Sequence, residues 1–230
     1  HQTAWERRLP APDPVNISSN TARPYWMSDP TGPLALPGDY TARLAVERDG
    51  ELTEVGPSRI FRVKPLNASS EISDDRRALQ AFQLTVVDVQ RVTQGSLRSL
   101  NEMKNRLAHL REAITRTPAT SREDEDMLST IQQRLADLSV DFNGDSTVSS
   151  RNEAAPLGIA SRVSSIYWNS MYSQSDPGGN ARKSYEIAKG ELAEALSELR
   201  AVNDQLVALE ASLERSGAPW TPGRIPKLPD

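Results

Sequence analysis

Residues 82–114 read FQLTVVDVQRVTQGSLRSLNEMKNRLAHLREAI, and the period of this stretch decides the fold. Phe82, Val86, Val89, Thr93, Ser96, Leu100, Met103, Leu107, Leu110 and Ile114 recur at alternating steps of four and three, which places all ten on one stripe of a helix. No proline falls between Pro65 and Pro118 to interrupt it. The spacing predicts a helix that starts near Ser73, with Asp74 and Asp75 at its positive end, and that stops before Pro118. Gly95 is a weak point inside it.

Downstream, Ser121 with Asp124 forms a near capping box ahead of Leu128, Ile131, Leu135 and Leu138, and Asn143-Gly144 ends that second helix. A shorter helix is expected over 157–172. A last long one should run from about Asn180 to Ser216 on the stripe Tyr185, Ala188, Leu192, Ala195, Leu199, Val202, Leu206, Leu209 and Leu213, with Gly217 as its C-cap. Two helices of about 36 to 42 residues, each about 55 to 60 Å long, imply an antiparallel bundle over residues 67–217.

Upstream the texture changes. Prolines stand at 10, 12, 14, 24, 30, 33, 37, 57 and 65, so the first 66 residues must be strands and turns. Tyr40, Ala42, Leu44 and Val46 alternate with Thr41, Arg43, Ala45 and Glu47, a pattern expected of a strand buried on one face. Asp49-Gly50 supplies a hairpin turn, Ile60 to Lys64 a returning strand, and the Trp5 neighbourhood a third candidate. These fall short of the roughly seven strands of a complete immunoglobulin-like sandwich. The expected class is therefore α+β: a partial immunoglobulin-like β module over 1–66, the helical bundle, and an extended Pro-rich strap over 218–230. Three prolines within 218–226 bar helix there. Holding one Trp and one Ile, the strap must gain its order by lying along another surface, expected to be the β module, with a surface outside this chain as the alternative.

Composition excludes more than it assigns. The chain has 230 residues, no Cys, two His and a net charge of -4 with both signs interspersed. Thiolate chemistry is excluded and the usual general bases and zinc ligands are scarce. A nucleic-acid surface is not expected. No run of 18 apolar residues exists, so no membrane span is expected. Asp141, Asn143, Asp145, Thr147 and Ser149 alternate like calcium-loop ligands, but Ser146 stands at the glycine position and Asn152 at the final carboxylate, which predicts a polar connection instead. Asp74-Asp75 and Glu123 to Asp126 open helices, so they read as caps rather than acid/base pairs. His109 lies beside the apolar stripe with no partner pattern. Asn16 and Asn67 begin glycosylation triplets. Ile166, Tyr167, Trp168, Met171 and Tyr172 form the densest aromatic cluster, expected to pack against the bundle, and the alternative is an exposed contact surface formed by Tyr167, Trp168 and Tyr172, together with Trp220. No cofactor, metal or catalytic residue is expected.

Several strings carry a resemblance. Gly32-Pro33-Leu34-Ala35-Leu36-Pro37-Gly38-Asp39-Tyr40-Thr41-Ala42-Arg43-Leu44, Trp5-Glu6-Arg7-Arg8, Asn143-Gly144-Asp145 through Arg151-Asn152-Glu153, Pro156-Leu157-Gly158, Arg162-Val163, and the ending Leu209-Glu210 to Gly217-Ala218-Pro219-Trp220-Thr221-Pro222-Gly223-Arg224-Ile225-Pro226 together resemble the C-terminal region of large bacterial sortilin-like, sialidase-type β-propeller proteins that carry Asp-box repeats and are labelled glycosyl hydrolases. Glu6 and Arg7 depart from that pattern. The resemblance implies an immunoglobulin-like module and helical tail that follow a propeller. It implies a secreted or periplasmic setting, with the chain's own N-terminal propeller as partner and another protein or a glycan as further candidates. It carries no catalytic role onto any residue here. The alternative it leaves is a glycoside hydrolase tail that contributes substrate contacts.

Overall fold

The computed structural model describes residues 5–12, 31–65, 75–151, 153–226 and 228. The elements in chain order are β1 (Gly38–Ala42), β2 (Ala45–Arg48), β3 (Glu51–Glu54), β4 (Arg59–Val63), α1 (Arg76–Thr115), α2 (Arg122–Asn143), α3 (Ser146–Ser149), α4 (Ile159–Tyr172) and α5 (Gly179–Arg215). The fold is α+β. It divides into two compact units, His1–Thr85 with Asn169–Gly178, and Val86–Trp168 with Gly179–Asp230.

In the first unit, β1 pairs antiparallel with β4 and β2 with β3, giving two two-stranded sheets. Asp49 and Gly50 both take positive φ, 52° and 82°, the twist a two-residue type I′ hairpin requires. The turn sets Arg48 opposite Glu51, and by β1 the register has moved so that Tyr40 faces Phe61. Residues 7–9 run antiparallel to 33–35, with the Leu9 amide donating to the Pro33 carbonyl at 2.9 Å and the Ala35 amide to the Arg7 carbonyl at 2.8 Å. A Cβ on Gly32 would stand 2.4 Å from the Pro10 carbonyl oxygen, so only glycine fits this crossing.

The expectation that these strands bury one face is corrected. Leu44, Val46, Leu52, Val55, Ile60 and Phe61 are all exposed, and Leu52 and Ile60 retain 73% and 77% of their surface. Alternation records which side is apolar, and burial needs a second layer, which the described residues do not provide.

In the second unit the stripes bury as their spacing predicts. Leu100, Leu110, Ile131, Leu135, Leu138, Phe142, Leu206, Leu209 and Leu213 are among the most completely buried side chains. Val89 and Ile114 reach only the margin, while Ala113 is buried. A strict 3.5-residue stripe drifts around a 3.6-residue helix, which accounts for this. Lys104 donates to the Ser139 hydroxyl at 2.7 Å and Arg111 bonds Gln132, so α1 and α2 are antiparallel. Arg134 of α2 reaches Glu198 and Gln205, and Asp124 meets Ser212, so α2 and α5 are antiparallel too. Within this unit the two long helices therefore run parallel, as Arg106 facing Asn203 and Glu210, and Ala113 facing Leu213, require. The antiparallel expectation applies to α2 against each of them.

Helix ends follow local chemistry. Ser121 and Asp124 form a full capping box. Asp75 caps α1, its carboxylate accepting the Ala78 amide at 2.9 Å; Ser73, near which the spacing predicts the start of the helix, lies outside the described residues. At the end of α5, the Ala218 amide donates to the Leu213 carbonyl and the Gly217 amide to that of Glu214, a Schellman closure with Gly217 at φ 73°.

Candidate interaction surfaces

The four aromatic candidates do not converge on one site. Tyr167 is 1% exposed on the core side of α4, so of the two readings of its cluster it takes core packing and is not a contact residue. Trp168 is half-buried and stands edge-on to Tyr167 at 5.1 Å between centroids. Tyr172 belongs to the first unit, exposed, with the Arg8 guanidinium 5.5 Å from its ring centre. Arg8 also donates to the carbonyls of Gly32 and Met171, each at 3.1 Å.

Trp220 lies on the strap in the second unit. The strap folds over Leu110 and Ala113 of α1 and Leu213 of α5. The Schellman turn reverses the chain toward these helix ends. Trp220 keeps 42% of its surface.

A further aromatic group is not apparent from the sequence. Trp5 stands over Tyr40 and Phe61, with centroid separations of 5.4 and 5.8 Å, and Tyr40 stacks on Phe61 at 5.9 Å. The polar ends of two of these rings are already used. The Trp5 indole N–H donates to the Arg8 carbonyl at 3.3 Å, and the Tyr40 hydroxyl to the Leu36 carbonyl at 2.7 Å. What remains outward is ring surface, continued along the ribbon by Leu44, Val46 and Val55. Val46 and Val55 share the face of Leu44, since the Val55 amide donates to the Leu44 carbonyl in the β2–β3 register. The opposite face of the β1–β4 ribbon carries charge beside the exposed Ile60, with Arg62 gripping both oxygens of Asp39 at 2.6 and 2.8 Å.

The polar candidates serve structure. Asp145 caps α3, accepting the amides of Thr147 and Val148 and the Thr147 hydroxyl. Those bonds hold its carboxyl below the usual range. Asn143 donates back to the Ser139 carbonyl, and Asn152 lies outside the described residues, as do Asn16 and Asn67. Among the described residues no group of three or more His, Cys, Asp or Glu is placed to hold a metal ion. His109 is an exposed residue of α1. Among the described residues no helix is long and apolar enough to cross a membrane.

A second unforeseen pattern is ionic. Glu191, Glu198 and Gln205 follow one another at intervals of seven on α5, flanking its apolar stripe. Arg162 of α4 grips Glu191, Arg134 of α2 grips Glu198 and Gln205, and Arg106 of α1 grips Asn203 and Glu210. The strap adds Arg224 on Glu214. Each element that packs on α5 in this unit thus contributes one arginine fork, a geometry suited to carboxylates. The seven-residue spacing was a readable signal; the arginine that would answer each acid was not.

No protein-family model, no curated protein and no solved structure matches the chain.

Proposed function

We propose that this chain is a non-catalytic accessory region of a secreted or periplasmic sortilin-like β-propeller protein, and that its strands complete an immunoglobulin-like sandwich with strands from outside the described residues. The observation that carries the reading is the uncovered apolar side of the β module, formed by Leu44, Val46 and Val55 beside the Trp5, Tyr40 and Phe61 rings. Two-stranded ribbons are marginal alone and gain stability when such a face is covered. The internal use of the Trp5 and Tyr40 polar groups favours a protein layer over a glycan, since a sugar site needs convergent hydrogen-bonding groups around its aromatic platform. No catalytic residue is assigned.

The test combines the parental reading frame with binding. Asp-box repeats encoded upstream, and a complex between this chain and the isolated propeller that Leu44→Asp or Val46→Asp weakens at least tenfold, are the expected results. A reading frame without such repeats, or a complex indifferent to both substitutions, overturns the proposal.

A further inference from the structure

The strap after α5 is held differently from the rest of the second unit. Helix α5 closes on itself, since the Gly217 and Ala218 amides satisfy the carbonyls of Glu214 and Leu213, so its end needs nothing from residues beyond Ala218. Past that turn, among the described residues, one side chain of the strap bonds to a helix. Arg224 donates to the Glu210 carbonyl and to the Glu214 carboxylate, and its guanidinium lies 5.5 Å from the centre of the Trp220 ring. Beside it, Ala218, Pro219 and Trp220 face Leu110, Ala113 and Leu213 around one small cavity. Among the described residues beyond Arg224, Ile225 and Leu228 keep 85% and 94% of their surface.

From this arrangement we infer that Arg224 is the latch of a releasable strap: when it lets go, residues 219–226 leave the bundle as one arm and uncover the apolar helix ends at Leu110, Ala113 and Leu213, with the helices intact. The basis is a division of labour. Among the described residues, the cation–π contact and both side-chain hydrogen bonds from the strap to α5 belong to one residue, so they are made or lost together. Of the helix core the strap faces one end, at Leu110, Ala113 and Leu213, while Leu100, Leu135, Leu138 and Leu206 are buried away from it, and the C-cap of α5 is self-contained. The released arm carries Trp220 and Ile225, and the uncovered floor is aliphatic. This device stands on the strap alone and does not depend on what covers the β module.

The experiment uses the full chain with 5-fluorotryptophan in place of its four tryptophans, the Trp220 resonance being assigned by Trp220→Phe. In Arg224→Ala, the Trp220 fluorine signal is expected to narrow and move to the position of a solvent-exposed indole. Helical circular dichroism and amide exchange across Leu199–Leu209 should be unchanged. Glu214→Gln, which keeps the shape and removes the charge, should move the same signal part of the way. An unchanged Trp220 signal in Arg224→Ala overturns the latch. Loss of helix signal together with the strap in both variants overturns it equally, because the strap would then be part of the bundle's cooperative unit.

Discussion

Arg106 and Glu210 meet fork to fork, Nε to Oε1 and Nη2 to Oε2 both at 3.0 Å, while the remaining guanidinium nitrogen donates to Asn203. Their side chains retain 22% and 11% of their surface, so the pair is largely withdrawn from water. Removing one partner leaves the other charge poorly solvated. Arg106→Ala or Glu210→Ala should therefore cost roughly 3 to 5 kcal/mol. The double replacement Arg106→Leu/Glu210→Leu should recover much of that loss, since the penalty lies in the orphaned charge. Urea melts of the two single variants and the double variant provide the cycle; additive losses would show the pair to be uncoupled.

The capping box is the next site where one group decides an element. Burial pushes the Asp124 carboxyl up, but hydrogen bonds from Ser212 and from the Ser121 hydroxyl and amide, with the nearby Arg215 charge, outweigh it and hold the group below its usual range. A lowered acid contributes stability above its unfolded pKa of 3.8, and that contribution is lost as the pH falls through the folded value. Ser121→Ala should cost about 1 kcal/mol at pH 7. Its cost should shrink in acid, where Asp124 is protonated in both states. Melting curves at pH 7 and in acid measure both, and a cost independent of pH would contradict the assignment.

The helices were legible because their evidence is local. A stripe of spacing 3.5 identifies a buried side whatever it packs against, and Ser121, Gly144 and Gly217 act through neighbours a few residues away. The hairpin turn was legible for the same reason. The Tyr40 and Phe61 contact was not. Counting outward from Arg48 and Glu51, the turn alone would set Tyr40 against Arg59, and only the two extra residues between β3 and β4, where Gly56 takes φ 79°, bring Phe61 opposite. Burial of the strands was misjudged because alternation reports polarity, and a covering layer is a tertiary fact. The parallel run of α1 and α5 also escaped, since stripes carry no direction.

Asp141 lies among like charges. Burial and then the carboxylates of Asp137, Glu191 and Glu198 push its carboxyl above the usual range. For a raised acid the folded state binds the proton more tightly, so stability rises as the pH falls from the folded value toward 3.8, and at neutral pH the charged group is a net cost. Asp141→Asn should raise the melting temperature at pH 7 and lose that advantage in acid. Because the side chain reaches solvent, the gain is under about 1 kcal/mol. A lower melting temperature at pH 7 would reverse the sign of this account.

The two units should answer truncation differently. Leu206 is fully buried, so Leu206→Ala should cost about 2 to 5 kcal/mol. Leu52→Ala on the exposed β3 should lie within about 0.5 kcal/mol of the parent when the β module is uncovered. Chemical denaturation of both variants checks the contrast, and a large loss at Leu52 would mean that its face is covered after all.

Glycines offer the sharpest test of the backbone arrangement, since the same substitution has opposite expected signs at different positions. Gly95 in α1 and Gly190 in α5 have open space where a Cβ would go, so alanine there supplies helix propensity with nothing to clash against. Gly95→Ala and Gly190→Ala should each stabilise by about 0.5 to 1 kcal/mol. At Gly158 the chain passes the end of α2 so closely that a Cβ would sit 2.5 Å from the Gly144 amide nitrogen and 2.7 Å from the Phe142 carbonyl oxygen. Those are backbone atoms, which cannot swing aside as a flexible side chain would, and Phe142 is itself buried in the core. Gly158→Ala should therefore destabilise by roughly 1 to 3 kcal/mol through displacement of the α2 terminus. Melts of the three variants in one buffer decide the matter: a neutral Gly158→Ala would mean that the crossing over α2 is looser than this geometry, whereas losses at Gly95 and Gly190 would mean that their outward faces are covered.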